Sequence, residues 1–496
     1  MKISHSLKLF FCAATFLVPL AFAVSASAQQ ASPAKSAAVE EVGNSAALTL
    51  NDVIGIALKE HGDVGAAEEN YFGATEGITS ARSALYPQIT AGLNYNYQNG
   101  SRTITNNSSG SFNSSGVTSS LSVTQDIFDG GKVHATVQQA KSLALNAVGA
   151  VGTARNTLAY TVATNYYNQL LDEKLVTQQQ EEVSLAQQQV DMIQAQVTAG
   201  TAAASDVQGV QVTLSQAQFN LVTSQNNLST AQIALRQSMG LGRGSALQLQ
   251  EPSLSQDVVP TPPPTTGKST FTLPPLPPLP VVPPLKNLDD YLAQAQQLRP
   301  DLLQANANVD KSKAGVSLAQ IAQRPQISVN AGYNIEPLQT QNRGVTFGAG
   351  ISIPIFDGGG RKADERAAED ALKASQIRLA QLQKDVAADV EETYVNVSGE
   401  EQRIKNAQAL VISARTNFQT ASEKYQLGLG IVLDVVNAQT QLFSAQTSLT
   451  QALYDYQLAL ANLERATGRF AWANPGMAPP AQAPTTLPEA IKVEQK

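Results

Sequence analysis

The chain has 496 residues, 15% of them charged, and a formal net charge of −7 at pH 7. An acidic chain is a poor binder of nucleic acid, so we expect no nucleic acid among its partners. The length alone would predict two or three ordinary domains, whereas the charged fraction is low for a water-soluble protein.

The N-terminus has the layout of a secretory signal peptide. Two lysines accompany an apolar stretch at 9–24, and Ala26, Ser27 and Ala28 form a small-residue cleavage site. Cys12, the only cysteine, lies in the apolar stretch, so the mature chain is expected to have neither a disulfide nor a lipid-carrying cysteine. We therefore predict an exported protein, with a signal peptide at 1–28 and an N-terminal extension at 29–47.

The chain contains a tandem duplication. The pentapeptide IFDGG occurs at 127–131 and at 355–359, and the offset of 228 positions persists without a gap as far as the match of Gly240 with Gly468. Towards the N-terminus the offset becomes 238, so the only change in length lies shortly before the pentapeptide. We predict two repeats of one design, at 48–245 and 287–468.

A Pro-rich linker at 246–286 joins the repeats. It contains 12 of the 24 prolines of the chain, which excludes a regular helix or a central strand and predicts an extended segment. The tail at 469–496 is also rich in Pro and Ala and is predicted to be irregular.

Each repeat begins with a helix and continues with two runs of period-two alternation. Apolar residues alternate there with Thr, Ser, Asn and Gly, and each run has about the ten residues that a tilted strand needs to cross a bilayer. After the predicted signal peptide, no stretch of the sequence approaches the roughly 20 continuous apolar residues of a membrane-spanning helix. The ten additional residues of the first repeat are expected in a longer external loop. The strands are predicted at 88–98, 117–128, 326–336 and 344–356.

Such strands could pack as soluble amphipathic hairpins on a core, or they could surround a water-filled lumen in a membrane. The signal peptide and the almost wholly polar opposite face favour the membrane alternative. Four strands are too few to close a barrel, and lipid does not tolerate open sheet edges. The barrel would therefore be shared between several chains.

The residues after each IFDGG predict long paired helices. The proline-free stretch at 132–197 predicts one helix of 66 residues, roughly 100 Å at about 1.5 Å per residue. Apolar or small residues recur at alternating steps of three and four, resume after a short break, and are duplicated in the second repeat. A seven-residue repeat imposes left-handed supercoiling on paired helices, so each repeat should contain a long antiparallel helical hairpin.

The hairpin tips are predicted at 198–205 and 426–433. Gly200 and Gly428 can supply the backbone freedom for the reversal. Asp206 and Asp434 stand at the start of the returning helices, where a carboxylate can cap free amides, and they could also face a pore.

The order and double occurrence of these features resemble the TolC family of outer-membrane efflux proteins, over 48–468. The resemblance implies an α+β membrane protein: a homotrimer whose four strands per chain form one 12-stranded barrel in outer-membrane lipid, continued by a periplasmic α-helical coiled-coil barrel. It further implies a passive exit duct, for efflux or type I secretion, that contacts a periplasmic adaptor (membrane fusion) protein and works with an inner-membrane pump.

The resemblance also assigns candidate site residues. The residues that would meet the adaptor are Gly200, Thr201, Gly428 and Leu429. The polar residues that would close and line the periplasmic gate are Asp206, Tyr425, Asp434 and Asn437. Asn437 stands where a second acidic residue often occurs, and Gly430 where a basic one can occur, so the charge at this gate is expected to be reduced. The strand-to-helix turns would be Asp129, Gly130 and Gly131, then Asp357, Gly358 and Gly359.

No residue pattern predicts an enzyme. The spacing of nucleophiles, bases and carboxylates suggests no catalytic site, and no phosphate-binding loop occurs. His61 and His134 are isolated in the sequence, so neither a metal site nor a cofactor is expected. A non-conducting, periplasm-spanning coiled coil or adhesin is the alternative to the duct.

Overall fold

The structure, a computed structural model, describes the chain in seven stretches. The predicted signal peptide and most of the Pro-rich linker and tail lie outside them. Among the described residues, no helix has both the length and the apolar character that crossing a membrane requires. The described stretches are 47–104, 108–244, 247–251, 255–257, 279–281, 285–336 and 342–472.

The two repeats have the same order of elements. Each has two short helices, two long antiparallel strands and two long helices. The first repeat consists of α1 (Leu50–Glu60), α2 (Gly62–Ser83), β1 (Gln88–Ile104), β2 (Ser108–Phe128), α3 (Lys132–Thr198) and α4 (Ala204–Ser238). The linker contributes β3 (Ser255–Asp257) and β4 (Leu279–Val281), which pair antiparallel. The second repeat consists of α5 (Leu288–Leu298), α6 (Pro300–Ile321), β5 (Gln326–Glu336), β6 (Asn342–Ser352), α7 (Gly360–Gln426) and α8 (Val432–Ala466).

Four strands form one antiparallel sheet in the order β1-β2-β5-β6. Residues that pair directly across antiparallel strands point to the same face. One row across the sheet is Ile89, Val123, Ala331 and Phe347, and the next on that face is Ala91, Leu121, Tyr333 and Val345. The intervening row on the other face is Thr90, Ser122, Gly332 and Thr346. The sheet thus has one apolar and one polar face.

The first strand hairpin is longer than predicted. β1 has 17 residues and β2 has 21, and their pairing continues to Ile104 with Ser108. The expectation of a longer external loop was therefore wrong, because the ten additional residues extend the strands. Ladder hydrogen bonds join backbone groups, so a run of Ser, Asn and Gly can continue a hairpin when the partner strand does the same.

The second strand hairpin differs at one boundary. β5 spans the residues predicted for it, whereas β6 begins at Asn342 and ends at Ser352, four residues before the predicted end at 356. Pro354 has no amide hydrogen and cannot donate to a ladder, so the chain leaves the sheet before it. IFDGG therefore ends a strand in the first repeat but follows one in the second.

Each pair of long helices forms an antiparallel hairpin around an apolar stripe. In the second pair the buried stripe of α7 runs from Val397 to Phe418, and that of α8 from Val435 to Leu463. Burial of each large aliphatic side chain contributes about 1.5–3 kcal/mol, and interleaved alanines allow the helices to approach closely. α3 packs against α8 as well as against α4, which joins the two hairpins.

The ends of the hairpins distant from the tips are held by ionic and polar contacts. Arg299 donates to both carboxylate oxygens of Asp301, with Nη2 2.6 Å from Oδ2, and to Asp389. Asp389 also accepts from Arg465 Nη2 at 2.9 Å. Burial opposes the charge of Asp389, but the hydrogen bonds and positive charges of Arg299 and Arg465 outweigh it and lower its pKa.

The start of the tail is ordered, contrary to the prediction of an irregular segment from 469. Arg469–Trp472 form a 3₁₀ helix in which Phe470 is buried in the core of the first repeat. Trp472 Nε1 donates to the carbonyl of Leu298 at 2.7 Å, at the end of α5. Local Pro and Ala content does not reveal this segment because tertiary packing holds it.

Candidate functional site

The turns from strand to long helix are alike in the two repeats. Asp129 accepts hydrogen bonds from the amides of Gly131 (2.8 Å) and Val133 (2.5 Å). Asp357 accepts from those of Gly359 (3.0 Å) and Arg361 (2.9 Å). The glycines between have φ of +67° and +97° in the first turn and +68° and +90° in the second, where a side chain would be strained. Asp-Gly-Gly thus caps each long helix and redirects the chain.

The same hydrogen bonds set the charge state of these turns. The amides of Arg361 and Gly359 lower the pKa of the exposed Asp357 carboxyl. At Asp129 partial burial acts in the opposite direction, but the amides of Val133 and Gly131 outweigh it, and the pKa is lowered too. Both carboxylates are therefore charged at neutral pH.

At both hairpin tips the first long helix, α3 or α7, ends in a Schellman motif. In the first, Gly200 has φ +75°, its amide donates to Val197 O, and the Thr201 amide donates to Gln196 O at 2.9 Å. In the second, Gly428 has φ +72° and the Leu429 amide donates to Lys424 O at 2.8 Å. The backbone geometry of both tips is therefore the same.

The two tips differ in the chemistry that they expose. Thr201 lies between Gly200 and Ala202, and Ala203 and Ala204 follow, so the first tip presents small side chains. The second tip presents four large apolar side chains, all more than half exposed: Leu427, Leu429, Ile431 and Leu433.

Asp206 and Asp434 do not cap their helices as predicted. The N-cap residues are Ala203 and Ile431, and neither helix has a side-chain cap hydrogen bond. Both aspartates lie in the first helical turn, three residues after the N-cap, where their charge still interacts favourably with the positive end of the helix dipole. The sequence therefore predicted the correct turn of the chain, but the two aspartates lie three residues beyond the N-cap position.

The structure brings Tyr425 close to the first hairpin. Its hydroxyl donates to Gln196 Oε1 at 2.7 Å, which joins the end of α7 to the end of α3. Burial and the nearby negative charge of Asp206 raise the pKa of Tyr425, so it is neutral and able to donate. Sequence reasoning missed Gln196, since nothing in the local pattern shows that it meets the other hairpin.

Asp434 and Asn437 belong to a groove whose lining does not include Tyr425 or Gln196. They line an open polar groove of about 270 Å³ between α7 and α8, together with Lys424 and Asn417. The four predicted gate residues thus form two groups, Asp206 with Tyr425 and Asp434 with Asn437. Within the described stretches, no group of three or more His, Cys, Asp or Glu side chains could hold a metal ion.

Comparison with known proteins matches both repeats separately. The family described as "Outer membrane efflux protein" matches residues 53–241 and 291–469. The chain belongs to the outer membrane efflux protein family. Outer membrane protein TolC of Escherichia coli (strain K12) is 27% identical over 381 residues, which cover 73% of this chain and 70% of TolC. The predicted TolC-family membership is confirmed.

Solved structures of two other proteins share the fold. A structure of CusC aligns with a TM-score of 0.68 at 20% identity, covering 84% of this chain and 91% of CusC. VceC from Vibrio cholerae aligns with a TM-score of 0.67 at 17% identity, covering 84% of this chain and 96% of VceC. This family member is accordingly an outer-membrane efflux channel of the Gram-negative envelope, and the predicted fold class and localisation are confirmed.

Proposed function

We propose that three copies of this efflux protein close one 12-stranded barrel and one helical tube, which form the exit duct of a tripartite efflux or secretion system. The sheet carries the proposal. β1 and β6 are its edges and have no neighbouring strand on their outer sides within the described chain. Unpaired strand edges are costly in lipid, and three copies joined edge to edge would remove them all.

The two faces of the sheet fit a barrel wall. The rows that contain Leu121 and Phe347 are apolar, as lipid requires, and those that contain Thr90 and Ser122 are polar, as a water-filled lumen requires. Phe347 is 83% exposed and Leu93 74% exposed in the single chain, which is unfavourable in water but favourable in a bilayer. Both faces are thus explained by one position in a membrane.

The helical tips are the proposed contact with the adaptor. Gly200 and Gly428 fix the backbone turn, and the neighbouring Thr201 and Leu429 are exposed at the far end of the hairpins. The duct itself is passive and no enzyme. The energy would come from the inner-membrane pump, which would also determine most of the substrate choice.

The Tyr425–Gln196 hydrogen bond is the proposed closing contact of the gate. It joins the two hairpins of one chain within the last turn of α3 and of α7. Opening of the tube at this end requires the hairpins to separate, so the bond would favour the closed state. Asp206, Asp434 and Asn437 would supply the polar lining nearby.

Adjacent residues of β2 provide the test of the barrel. Leu121→Cys and Ser122→Cys are placed separately in the chain, which has no cysteine after Cys12. In native outer membranes, a charged thiol reagent added from outside should modify Cys at 122, on the lumen face, and leave Cys at 121, on the lipid face, unmodified. Equal modification of both would contradict the barrel and favour soluble hairpins or a non-conducting adhesin.

A further inference from the structure

Two glutamines are buried where the helical hairpins of one chain meet. Gln189 of α3 is 2% exposed and Gln439 of α8 is 1% exposed. Neither the amide nitrogen nor the amide oxygen of either side chain has a hydrogen-bond partner. Each buried polar group without a partner costs about 1–3 kcal/mol, so this location requires a compensating reason.

The register of α3 and α8 places these glutamines opposite one another. Gln178 Nε2 donates to Thr450 Oγ1 at 2.7 Å, which fixes one point of the antiparallel contact. Eleven residues farther towards the tips on each helix, the same register reaches Gln189 and Gln439. Two facing amides can donate to one another after rotation of their side chains. The pair therefore forms one polar step in the seam between the hairpins.

The duplication places an equivalent pair on the exposed faces of the other two long helices. The offset of 228 positions carries Gln189 to Asn417 of α7 and Gln439 to Gln211 of α4. Both counterparts are exposed in the single chain. Asn417 Nδ2 donates to Gln441 Oε1 at 3.2 Å within its own hairpin. The amide pair that meets in the α3–α8 seam thus has an unjoined copy on α7 and α4.

Apolar residues show the same relation. Tyr167 of α3 and Ala461 of α8 are buried in one core cluster. Their counterparts are Val395 of α7, 66% exposed, and Ile233 of α4, 57% exposed. These aliphatic side chains lie on helix faces whose duplicates are covered, so a further copy of the same surface is the partner that matches them.

We propose that α7 of one protomer packs against α4 of the next in the register that α3 and α8 adopt within the chain. Asn417 then faces Gln211 of the neighbouring protomer, and Val395 faces its Ile233. Three intrachain and three interchain pairs form a belt of six facing amide pairs at one level of the tube. This inference rests on the trimer of the proposed function and adds the residue register of its helical interface.

The belt fixes the axial register of the packed helices. Coiled-coil stripes rich in alanine can slip by one seven-residue repeat with little change in apolar packing, whereas a slip separates each facing amide pair. A single buried polar residue fixes the register of coiled coils in this way. The belt lies within two to three helical turns of the tips, where the ends of all hairpins must remain level.

Engineered disulfides test the interchain register. Asn417→Cys combined with Gln211→Cys should convert the monomer band on a non-reducing denaturing gel to dimers and trimers after oxidation. Gln189→Cys combined with Gln439→Cys should give only an intrachain product of altered mobility. The matched control, Asn417→Cys with Gln218→Cys, changes a residue about 10 Å farther along α4. That separation exceeds the reach of a disulfide, so only background crosslinking is expected.

The outcomes separate this inference from the proposed function. Light scattering of the same variants, unoxidised, reports whether a trimer forms. A trimer in which the pair at 417 and 211 does not crosslink, or in which the pair at 417 and 218 crosslinks better, overturns the register and leaves the trimer intact. A protein that is monomeric in detergent and in the membrane overturns both.

Discussion

Replacement of Tyr425 by Phe should shift the duct towards its open state. The change removes the hydrogen bond to Gln196 and keeps the ring, so the loss is about 0.5–1.5 kcal/mol in each protomer. If the three gates of a trimer open together, the shift sums to about 1.5–4.5 kcal/mol, or roughly tenfold to a thousandfold in the open-to-closed ratio. Single-channel recording in planar bilayers should show a larger open probability or a higher conductance.

A second variant and a matched control make this prediction specific. Gln196→Ala removes the other partner of the same bond, so it should have a similar effect, and the double variant should add little. Gln194→Ala removes an exposed side chain two residues away and should behave as wild type. Wild-type conductance in both Tyr425→Phe and Gln196→Ala, or strictly additive effects of the two, would refute the gate assignment.

Three further predictions concern other parts of the chain. Gln189→Leu or Gln439→Leu alone should lower the thermal unfolding midpoint, because the remaining buried amide loses its facing partner. The double change should restore or raise the midpoint, and additive losses from the two single changes would contradict the facing pair. Asp389→Asn should lower the free energy of unfolding in chemical denaturation by about 1–3 kcal/mol, whereas Asp385→Asn, at an exposed residue, should not. Because the pKa of Asp389 is lowered in the folded state, the difference between wild type and Asp389→Asn should be present near neutral pH and be lost as the pH falls below about 4. Asp434→Ala should weaken the block of single-channel current by divalent cations, and unchanged block would place Asp434 away from the pore.

The sequence allowed the architecture to be predicted because each element has a long, repeated period. Period-two alternation predicted the apolar and polar faces of the sheet, and the pairing of Leu121 with Tyr333 shows that they align across strands. Seven-residue spacing predicted the helical hairpins, and the stripe from Val435 to Leu463 is buried accordingly. Duplication doubled the evidence for every element.

Features that depend on partners distant in sequence were not predictable. The length of the first strand hairpin depends on pairing between two polar strands, since neither has a strong preference of its own. Trp472 is ordered by a contact with Leu298 that the composition of the tail does not reveal. In the candidate site, Gly200 and Gly428 were predictable, because reversal of the chain needs the local backbone freedom of glycine. The meeting of Tyr425 with Gln196 depends on how two hairpins pack together.

The central claim is that this family member conducts through a pore shared by three copies. The most direct test is the ionic current across a planar bilayer after insertion of the purified wild-type protein. We predict stepwise current increments of one unit size, and a larger open state for Tyr425→Phe. The account would be contradicted by a folded trimer that inserts but carries no current, both as wild type and after Tyr425→Phe and Gln196→Ala are combined.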